Sequence, residues 1–221
     1  MMNKEFKQPD RESKPARRTE PKEVRRSQLI DATINSIAKH GIGGTTMSTV
    51  TDYAGLSIGI VNFHFKSKQN LFEETLMYLA REHHEQWYNA YLDAGLSAQE
   101  KLLAIVDAHF DRKICSRKKL AVWFAFYGEA RRRERYRHLI DQIDDERVAI
   151  STRLCREILE DGGYESALTP EHIAQTLEAL YDGLMLNLLL YPGYMTREKE
   201  RNHVHAYLAT VFPNHIKMPT L

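Results

Sequence analysis

The chain has 221 residues, of which 43% are hydrophobic and 28% are charged, the composition of an ordinary globular protein that can bury a core. No apolar run approaches the roughly 18–20 residues needed to span a bilayer, so we expect no membrane partner. The net charge of +1 hides an asymmetry, because residues 1–70 hold twelve basic and seven acidic side chains, whereas the remainder holds nineteen and twenty-three. A basic front on an acidic body indicates that the front binds a polyanion.

The first 22 residues are polar and include three prolines, so they can bury too little apolar surface to offset the entropy of ordering. They predict a flexible basic arm. Five basic residues in and beside this arm are candidates for contacts with phosphates or the minor groove: Arg17, Arg18, Lys22, Arg25 and Arg26. From Glu23 onward, apolar residues recur every three or four positions, which predicts an amphipathic helix that ends at Gly41.

The stretch from residue 46 to residue 68 predicts two short helices joined by a sharp turn. Thr46 is a candidate cap for the first helix, Gly55 tolerates the positive φ that such a turn needs, and Ser57 is a candidate cap for the second helix. Ile60 and Val61 would then face inward, whereas Ser57, Ile58, Gly59 and Asn62 would face outward. This is the helix-turn-helix layout, whose second helix enters the major groove of DNA.

The outward residues have the chemistry to contact a duplex. Ser57 and Asn62 can form hydrogen bonds with base edges or phosphates, Ile58 can contact a thymine methyl group, and Gly59 permits close approach. Just beyond them, three residues are within reach of phosphates: His64, Lys66 and Lys68. On spacing alone, a plain corner between two core helices remains an equal alternative.

The rest of the chain predicts helices almost throughout, and therefore an all-α protein. Ser97 and Glu100 form a candidate capping box, and Thr169 before Pro170 predicts another helix start. Further helices are predicted over residues 118–133, 134–161, 170–191 and 196–212, with Gly162 and Gly163 at the end of the second of these.

A longer motif makes a family resemblance specific. The run T-T-x-x-x-V-x-x-x-A-G-L-S-x-G-x-V-x-x-x-F-K-S-K-x-x-L, from residue 45 to residue 71, resembles the DNA-binding head of the TetR family of bacterial repressors. The resemblance implies a three-helix head over residues 23–68 and a helical effector-binding and dimerisation body over residues 69–221. It also implies a set of DNA-binding residues: Thr46, Ser48, Ser57, Ile58, Gly59, Asn62, His64, Lys66 and Lys68. The family usually has Tyr at the position of Asn62, where the shorter side chain puts one phosphate contact in doubt.

The Gly59-Ile60 step and an aromatic stretch at residues 121–127 resemble one branch of this family, the choline-responsive repressors of glycine-betaine synthesis genes. A quaternary ammonium must be held by aromatic faces and a nearby negative charge, since it donates no ordinary hydrogen bond. Asp182 lies within an otherwise apolar helix, an expensive place for a charge without a role. The candidate ligand-binding residues are therefore Trp123, Tyr127, Tyr181 and Asp182, and the open alternative is an ordinary aromatic core.

Three other functions compete with a choline sensor. The first is a TetR-like repressor of another hydrophobic or cationic ligand, and the second is a protein-interaction module. The third is a small helical enzyme with His83 or His109 as a base, although no paired nucleophile or acid stands at suitable spacing. The pair His83-His84 lacks the spacing of metal ligands and is expected to be solvated surface. We expect no catalytic residue, metal or cofactor.

Two expectations concern assembly and location. The last two predicted helices, about residues 169–191 and 196–212, have broad apolar faces, and the family resemblance implies that they pair with their twins in a homodimer. The two heads would then bind two halves of a palindromic operator in double-stranded DNA. Two isolated cysteines and the lack of an apolar leader predict a reducing, cytoplasmic location.

Overall fold

The computed structural model describes residues 21–93, 95–129, 131–165 and 168–220. Within these ranges the backbone forms nine α-helices and no β-strand, so the predicted all-α fold is confirmed. In chain order the helices are α1 (Lys22–Gly44), α2 (Met47–Ala54), α3 (Ile58–Phe65), α4 (Lys68–Tyr91), α5 (Ala98–His109), α6 (Arg117–Gly128), α7 (Arg133–Gly162), α8 (Pro170–Leu190) and α9 (Arg197–Val211). Most of the predicted basic arm, including Arg17 and Arg18, lies outside the described residues.

The helix-turn-helix is present as α2 and α3. The hydroxyl of Thr46 accepts a hydrogen bond from the backbone N–H of Thr49 at 3.1 Å, which caps α2 as predicted. Gly55 ends α2 in the left-handed conformation, with φ 62°. Ser57 precedes α3, but its hydroxyl accepts no capping hydrogen bond, so its predicted capping role is wrong and the side chain is left exposed.

The long first helix ends close to where its sequence predicted. Gly41 has a positive φ of 69° and interrupts the helical geometry of α1 three residues before the helix ends at Gly44. The hydroxyl of Thr45 donates to the carbonyl oxygen of Gly41 at 2.8 Å. The same carbonyl oxygen also accepts from the backbone N–H of Thr45 at 3.1 Å, so two hydrogen bonds hold Thr45 against the last turn of α1.

The core has two parts, and α6 contributes to both. Val61 and Phe65 of α3 belong to the first cluster, and so do Val122 and Phe126 from one face of α6. Leu120 of the same helix belongs to the second cluster, which fills the body between α4, α5, α7, α8 and α9. The head is therefore not closed by its own three helices, because α6 completes its core from the body.

The body helices end at residues with identifiable signals. Gly163 terminates α7 with φ 59°, and the Thr169 hydroxyl accepts from the backbone N–H of His172 at 3.2 Å ahead of Pro170. Helix α6 ends at Gly128 rather than at residue 133 as predicted, because Glu129 leaves the helical region with ψ 89°. No helix in the described ranges is both long enough and apolar enough to cross a membrane.

Candidate nucleic-acid interface and internal cavity

Helix α3 is held by one face and presents the other to solvent. Val61 and Phe65 are fully buried, whereas Ser57, Ile58, Gly59 and Asn62 are exposed. Thr46 and Ser48, at the start of α2, are exposed as well. The structure therefore brings six of the nine candidate DNA-binding residues to the exposed side of the helix-turn-helix.

Phe63 belongs to the same surface and was not among the residues singled out in the sequence. Its side chain is 75% exposed, the highest value among the large hydrophobic residues of the described chain. Its position was available from helical periodicity, because Phe63 lies four residues after Gly59 and so one turn further along the same face. Its apolar character suggested a core residue, and that concealed it.

Gly59 leaves an open surface at the start of α3. A Cβ atom added there would meet only the Ser57 hydroxyl, at an ordinary contact distance of 3.8 Å. No neighbouring atom within the described ranges therefore requires a glycine at this position. What the glycine provides is room for the backbone of a bound molecule to come close.

Arg26 fixes the position of α3 from α1. Its guanidinium donates to the backbone oxygen of His64 at 3.2 Å and to the carboxylate of Glu74 at 3.0 Å, and it lies 4.8 Å from the centre of the Phe65 ring. Two nitrogens of the Arg26 guanidinium are engaged within the head while its side chain stays 24% exposed, so its phosphate contact stays a prediction. The ion pair joins α1, α3 and α4 into one unit.

The three basic candidates after Asn62 differ in their surroundings. Burial lowers the pKa of His64, and nearby Arg26 lowers it further, so this ring is neutral at pH 7 and offers a hydrogen bond rather than a charge. Lys66 is exposed and has an unusual positive φ of 61°. Lys68 begins α4, with its ammonium 5.1 Å from the centre of the Phe72 ring.

A cavity in the body brings all four candidate ligand-binding residues together. It lies between α4, α5, α6, α7 and α8, and it is lined by His83, His109, Ile114, Leu120, Trp123, Phe124, Tyr127, Asp144, Arg147, Glu178, Tyr181, Asp182 and Met185. Its volume is about 50 Å³, on a scale in which a single water needs roughly 10–15 Å³. The cavity therefore favours a compact ligand over a long acyl chain.

The charges around the cavity are unbalanced. Arg147 is buried and forms ion pairs with Glu178 and with Asp144, the latter at 3.0 Å. Asp182 forms no ion pair within the described residues. The residue as a whole is exposed, but partial desolvation of its carboxyl raises its pKa, the negative charge of Glu178 raises it further, and the positive charge of Arg147 lowers it. Three carboxylates thus face one guanidinium, and the lining favours a positively charged ligand.

Two histidines form part of the cavity wall, where the sequence predicted solvated surface for one of them. Burial lowers the pKa of His83 to about 3 and holds that of His109 well below its usual value, so both rings are neutral. The prediction for His83 was wrong because α5 covers it: the two rings meet edge to face, with centres 4.6 Å apart. His109 in turn stacks on Tyr181 at 3.8 Å.

Two catalytic possibilities find no support in this arrangement. The described residues contain no group of three or more His, Cys, Asp or Glu side chains placed to hold a metal ion. Burial raises the pKa of both Cys115 and Cys155 to about 12, so neither thiol is a nucleophile near neutral pH.

Comparison with known proteins matches both halves of the chain. Residues 29–75 match the model of bacterial regulatory proteins of the tetR family, and residues 98–213 match that of the C-terminal domain of BetI-type transcriptional repressors. The HTH-type transcriptional regulator BetI of Burkholderia thailandensis is 33% identical over 78% of this chain and 85% of its own length. These relatives are regulators, not enzymes.

Solved structures agree on the fold. A putative transcriptional regulator from Pseudomonas aeruginosa superposes with a TM-score of 0.76 at 27% identity, covering 89% of this chain and 94% of its own. A putative regulator from Saccharomonospora viridis, crystallised in complex with choline, has a TM-score of 0.73 at 19% identity, covering 88% and 99%. The second likeness concerns the fold alone.

Proposed function

This chain belongs to the TetR family of bacterial regulatory proteins and carries the C-terminal domain of a BetI-type transcriptional repressor, and from that premise we propose that choline or a similar small quaternary ammonium controls its binding to operator DNA. The observation that carries the proposal is the body cavity, which combines aromatic walls, an excess of carboxylates and room for only a small ligand. We also propose that the chain is divided into a basic arm (residues 1–22), a DNA-binding head (residues 23–68) and a ligand-sensing and dimerisation body (residues 69–221).

The proposed DNA contact uses the exposed side of α2 and α3. Ile58 and Phe63 supply apolar surface for thymine methyl groups or sugars, and Ser57 and Asn62 supply hydrogen bonds to base edges or phosphates. Thr46 and Ser48 lie at the start of α2, His64 lies in the last turn of α3, and Lys66 and Lys68 follow it. Both groups flank the groove-facing residues and suit contacts with the phosphate backbone.

The proposed cation site uses the walls of the cavity. Trp123 and Tyr127 present neighbouring rings whose centres are 5.9 Å apart, and Tyr181 contributes a third ring. The negative charge of Asp182 is near enough to raise the pKa of Tyr127, although burial is the larger cause. Aromatic faces with a nearby carboxylate are the surroundings in which a trimethylammonium group is bound. Fold similarity to the choline-bound Saccharomonospora viridis regulator supports the same choice.

The alternative is a repressor of another small hydrophobic or cationic ligand. The cavity argues against the hydrophobic version, because an uncharged ligand would leave the excess negative charge of Asp144, Glu178 and Asp182 over Arg147 unbalanced. The alternative of a different small cation stays open, and it is separated from choline by titration with the individual ligands.

We propose a homodimer formed by α8 and α9. The last two turns of α8 are apolar except for Asn187, and their residues before Leu190 are only partly buried in one chain. Leu190 and Tyr191, at the end of the helix, are exposed. Tyr194, between the two helices, is 72% exposed. A second copy related by a twofold axis would cover this surface and would place two recognition helices side by side.

A gel-shift titration tests the proposal. We would select a duplex from a random pool with the purified protein, then measure its affinity with increasing choline, betaine aldehyde and tetramethylammonium. Choline is expected to weaken DNA binding, because a ligand that prefers one arrangement of the heads shifts the population away from the other. A control duplex with a scrambled sequence reports non-specific binding. DNA affinity that no small quaternary ammonium changes would contradict the sensing function.

A further inference from the structure

The cavity has a feature that cation binding does not use. His109 and Tyr181 are 1% and 2% exposed, respectively, and their rings stack with an angle of 14° between their planes. Nε2 of His109 and the hydroxyl oxygen of Tyr181 are both shielded from solvent and have no hydrogen-bond partner among the atoms of the described chain. Nε2 of His83, whose ring meets that of His109 edge to face, is unpaired in the same way. Three such groups in one buried wall are costly to leave unpaired.

The protonation of His109 follows from its surroundings. Its Nδ1 lies 2.8 Å from the carbonyl oxygen of Ile105, and a carbonyl oxygen only accepts, so Nδ1 carries the hydrogen. Burial holds the pKa of the ring well below its usual value, so the ring is neutral and has only that one N–H. Nε2 therefore carries a lone pair and can only accept a hydrogen bond.

Tyr181 offers the complementary group. Its hydroxyl can donate as well as accept, and burial raises its pKa well above the usual value, so the proton stays on the oxygen. Because its ring lies flat against that of His109, with centres 3.8 Å apart, the hydroxyl cannot lie in the imidazole plane and aim along the Nε2 lone pair. The two groups therefore cannot satisfy each other. The neighbouring Nε2 of His83 forms no hydrogen bond with either of them, so both need a further partner.

We propose that His109 and Tyr181 form a hydroxyl-recognition subsite, so that the protein selects a hydroxylated cation over an isosteric cation that lacks a hydroxyl. This inference rests on the proposed function. The ligand hydroxyl donates to His109 Nε2 and accepts from the Tyr181 hydroxyl, while the trimethylammonium lies among the aromatic faces and carboxylates. An alkyl group of equal size would leave both protein groups without a hydrogen-bond partner.

The charge around the cavity adds a second criterion. Asp144, Glu178 and Asp182 face one guanidinium, which is already paired. A zwitterion such as glycine betaine would bring a further carboxylate into this surrounding, and its carboxylate has no hydrogen to donate to His109. The subsite thus separates an alcohol from the acid to which oxidation would convert it.

Isothermal titration calorimetry with the full chain tests the subsite. The ligands are choline and propyltrimethylammonium, in which a methyl group replaces the hydroxyl. We expect choline to bind at least about tenfold more tightly, which is the size of effect produced by leaving one buried acceptor unpaired. Equal affinities would overturn the subsite and leave the cation site standing. If neither cation binds at millimolar concentration, the proposed function itself fails.

Variants locate the effect. His109→Phe keeps an aromatic ring against Tyr181 and removes the acceptor, so the choline preference should fall to about onefold to twofold while propyltrimethylammonium binds as before. His84→Phe is the matched control, because His84 pairs with Glu146 at 2.9 Å away from the cavity wall, and it should keep the tenfold preference. A full preference in folded His109→Phe overturns the proposal.

A second variant covers the case in which His109→Phe does not fold. Tyr181→Phe removes only a hydroxyl that has no partner within the described chain, so it preserves the ring stack and the packing. The subsite predicts that this change reduces the preference for choline by at least about threefold without weakening propyltrimethylammonium binding. An unchanged preference in Tyr181→Phe overturns the proposal by itself.

Discussion

Removing the charge of Arg147 is expected to destabilise the body strongly. The Arg147 side chain is 7% exposed and joins α7 to α8 through Glu178, whose side chain is 23% exposed. Breaking a buried ion pair by removing one partner costs about 3–5 kcal/mol, because the remaining charge stays desolvated. Since Glu178 keeps some contact with solvent, we expect about 3 kcal/mol for Arg147→Met, which lowers Tm by about 6–12 °C in a protein of this size.

The same two helices provide a matched control. Arg156 and Glu171 also join α7 to α8, with 2.8 Å between the charged atoms, but their side chains are 48% and 54% exposed. A solvated pair of this kind contributes about 0–1 kcal/mol. Arg156→Met should therefore lower Tm by no more than about 4 °C.

Thermal unfolding followed by circular dichroism, at one fixed protein concentration, measures both changes. The double variant Arg147→Met with Glu178→Met should recover most of the lost stability, because it removes the less exposed of the two carboxylates that Arg147 pairs with. The other, Asp144, is 40% exposed and stays solvated. The electrostatic reasoning is refuted if Arg147→Met and Arg156→Met lower Tm equally. It is also refuted if the double variant is as unstable as Arg147→Met alone.

Four further predictions concern the DNA surface, the dimer and the cation site. Lys66→Gly removes a strained φ of 61° and should add about 1 kcal/mol to the free energy of unfolding. The same change should reduce the slope of log DNA affinity against log salt concentration by about one, as expected for one lost phosphate contact. An unchanged slope contradicts that contact. Phe63→Ala should weaken operator binding by about 1.5 kcal/mol through lost apolar burial and leave the salt slope unaltered. Leu190→Arg should yield monomers in light scattering, whereas Leu92→Arg, at a comparable exposure of 54% against 56%, should leave dimers intact. Asp182→Asn should lower choline affinity in calorimetry. In the unmodified protein that affinity should fall as pH drops through the raised pKa of Asp182, because protonation removes the negative charge that attracts the cation. The variant should show a smaller fall of affinity with pH.

The helix signals in the sequence were mostly local, and they predicted the fold well. The Thr46 cap, Gly55, Gly163 and the Thr169-Pro170 start act through bonds within a few residues, so one sequence suffices to find them. The end of α6 was missed because a chain that continues through charged residues after Gly128 has no proline to mark the break. The exposed side of α3 followed from the same periodicity.

The candidate sites were harder to predict because they depend on distant parts of the chain. His83 and His109 are 26 positions apart in sequence, and only the packing of α4 on α5 brings their rings to 4.6 Å. Arg147 likewise gave no signal until α8 placed Glu178 beside it. The four ligand-binding candidates, by contrast, do line one cavity, and their role as a cation site stays a prediction until a ligand is bound.

Helix α6 borders both the hydrophobic core of the head and the cavity of the body. Val122 and Phe126 are packed into the interior of the head, and Trp123 and Tyr127 from the next positions line the cavity. Close-packed interiors resist compression, so a small displacement of this helix is transmitted instead of being absorbed. In a homodimer, the presence of a ligand in this small cavity would then change the distance between the two recognition helices.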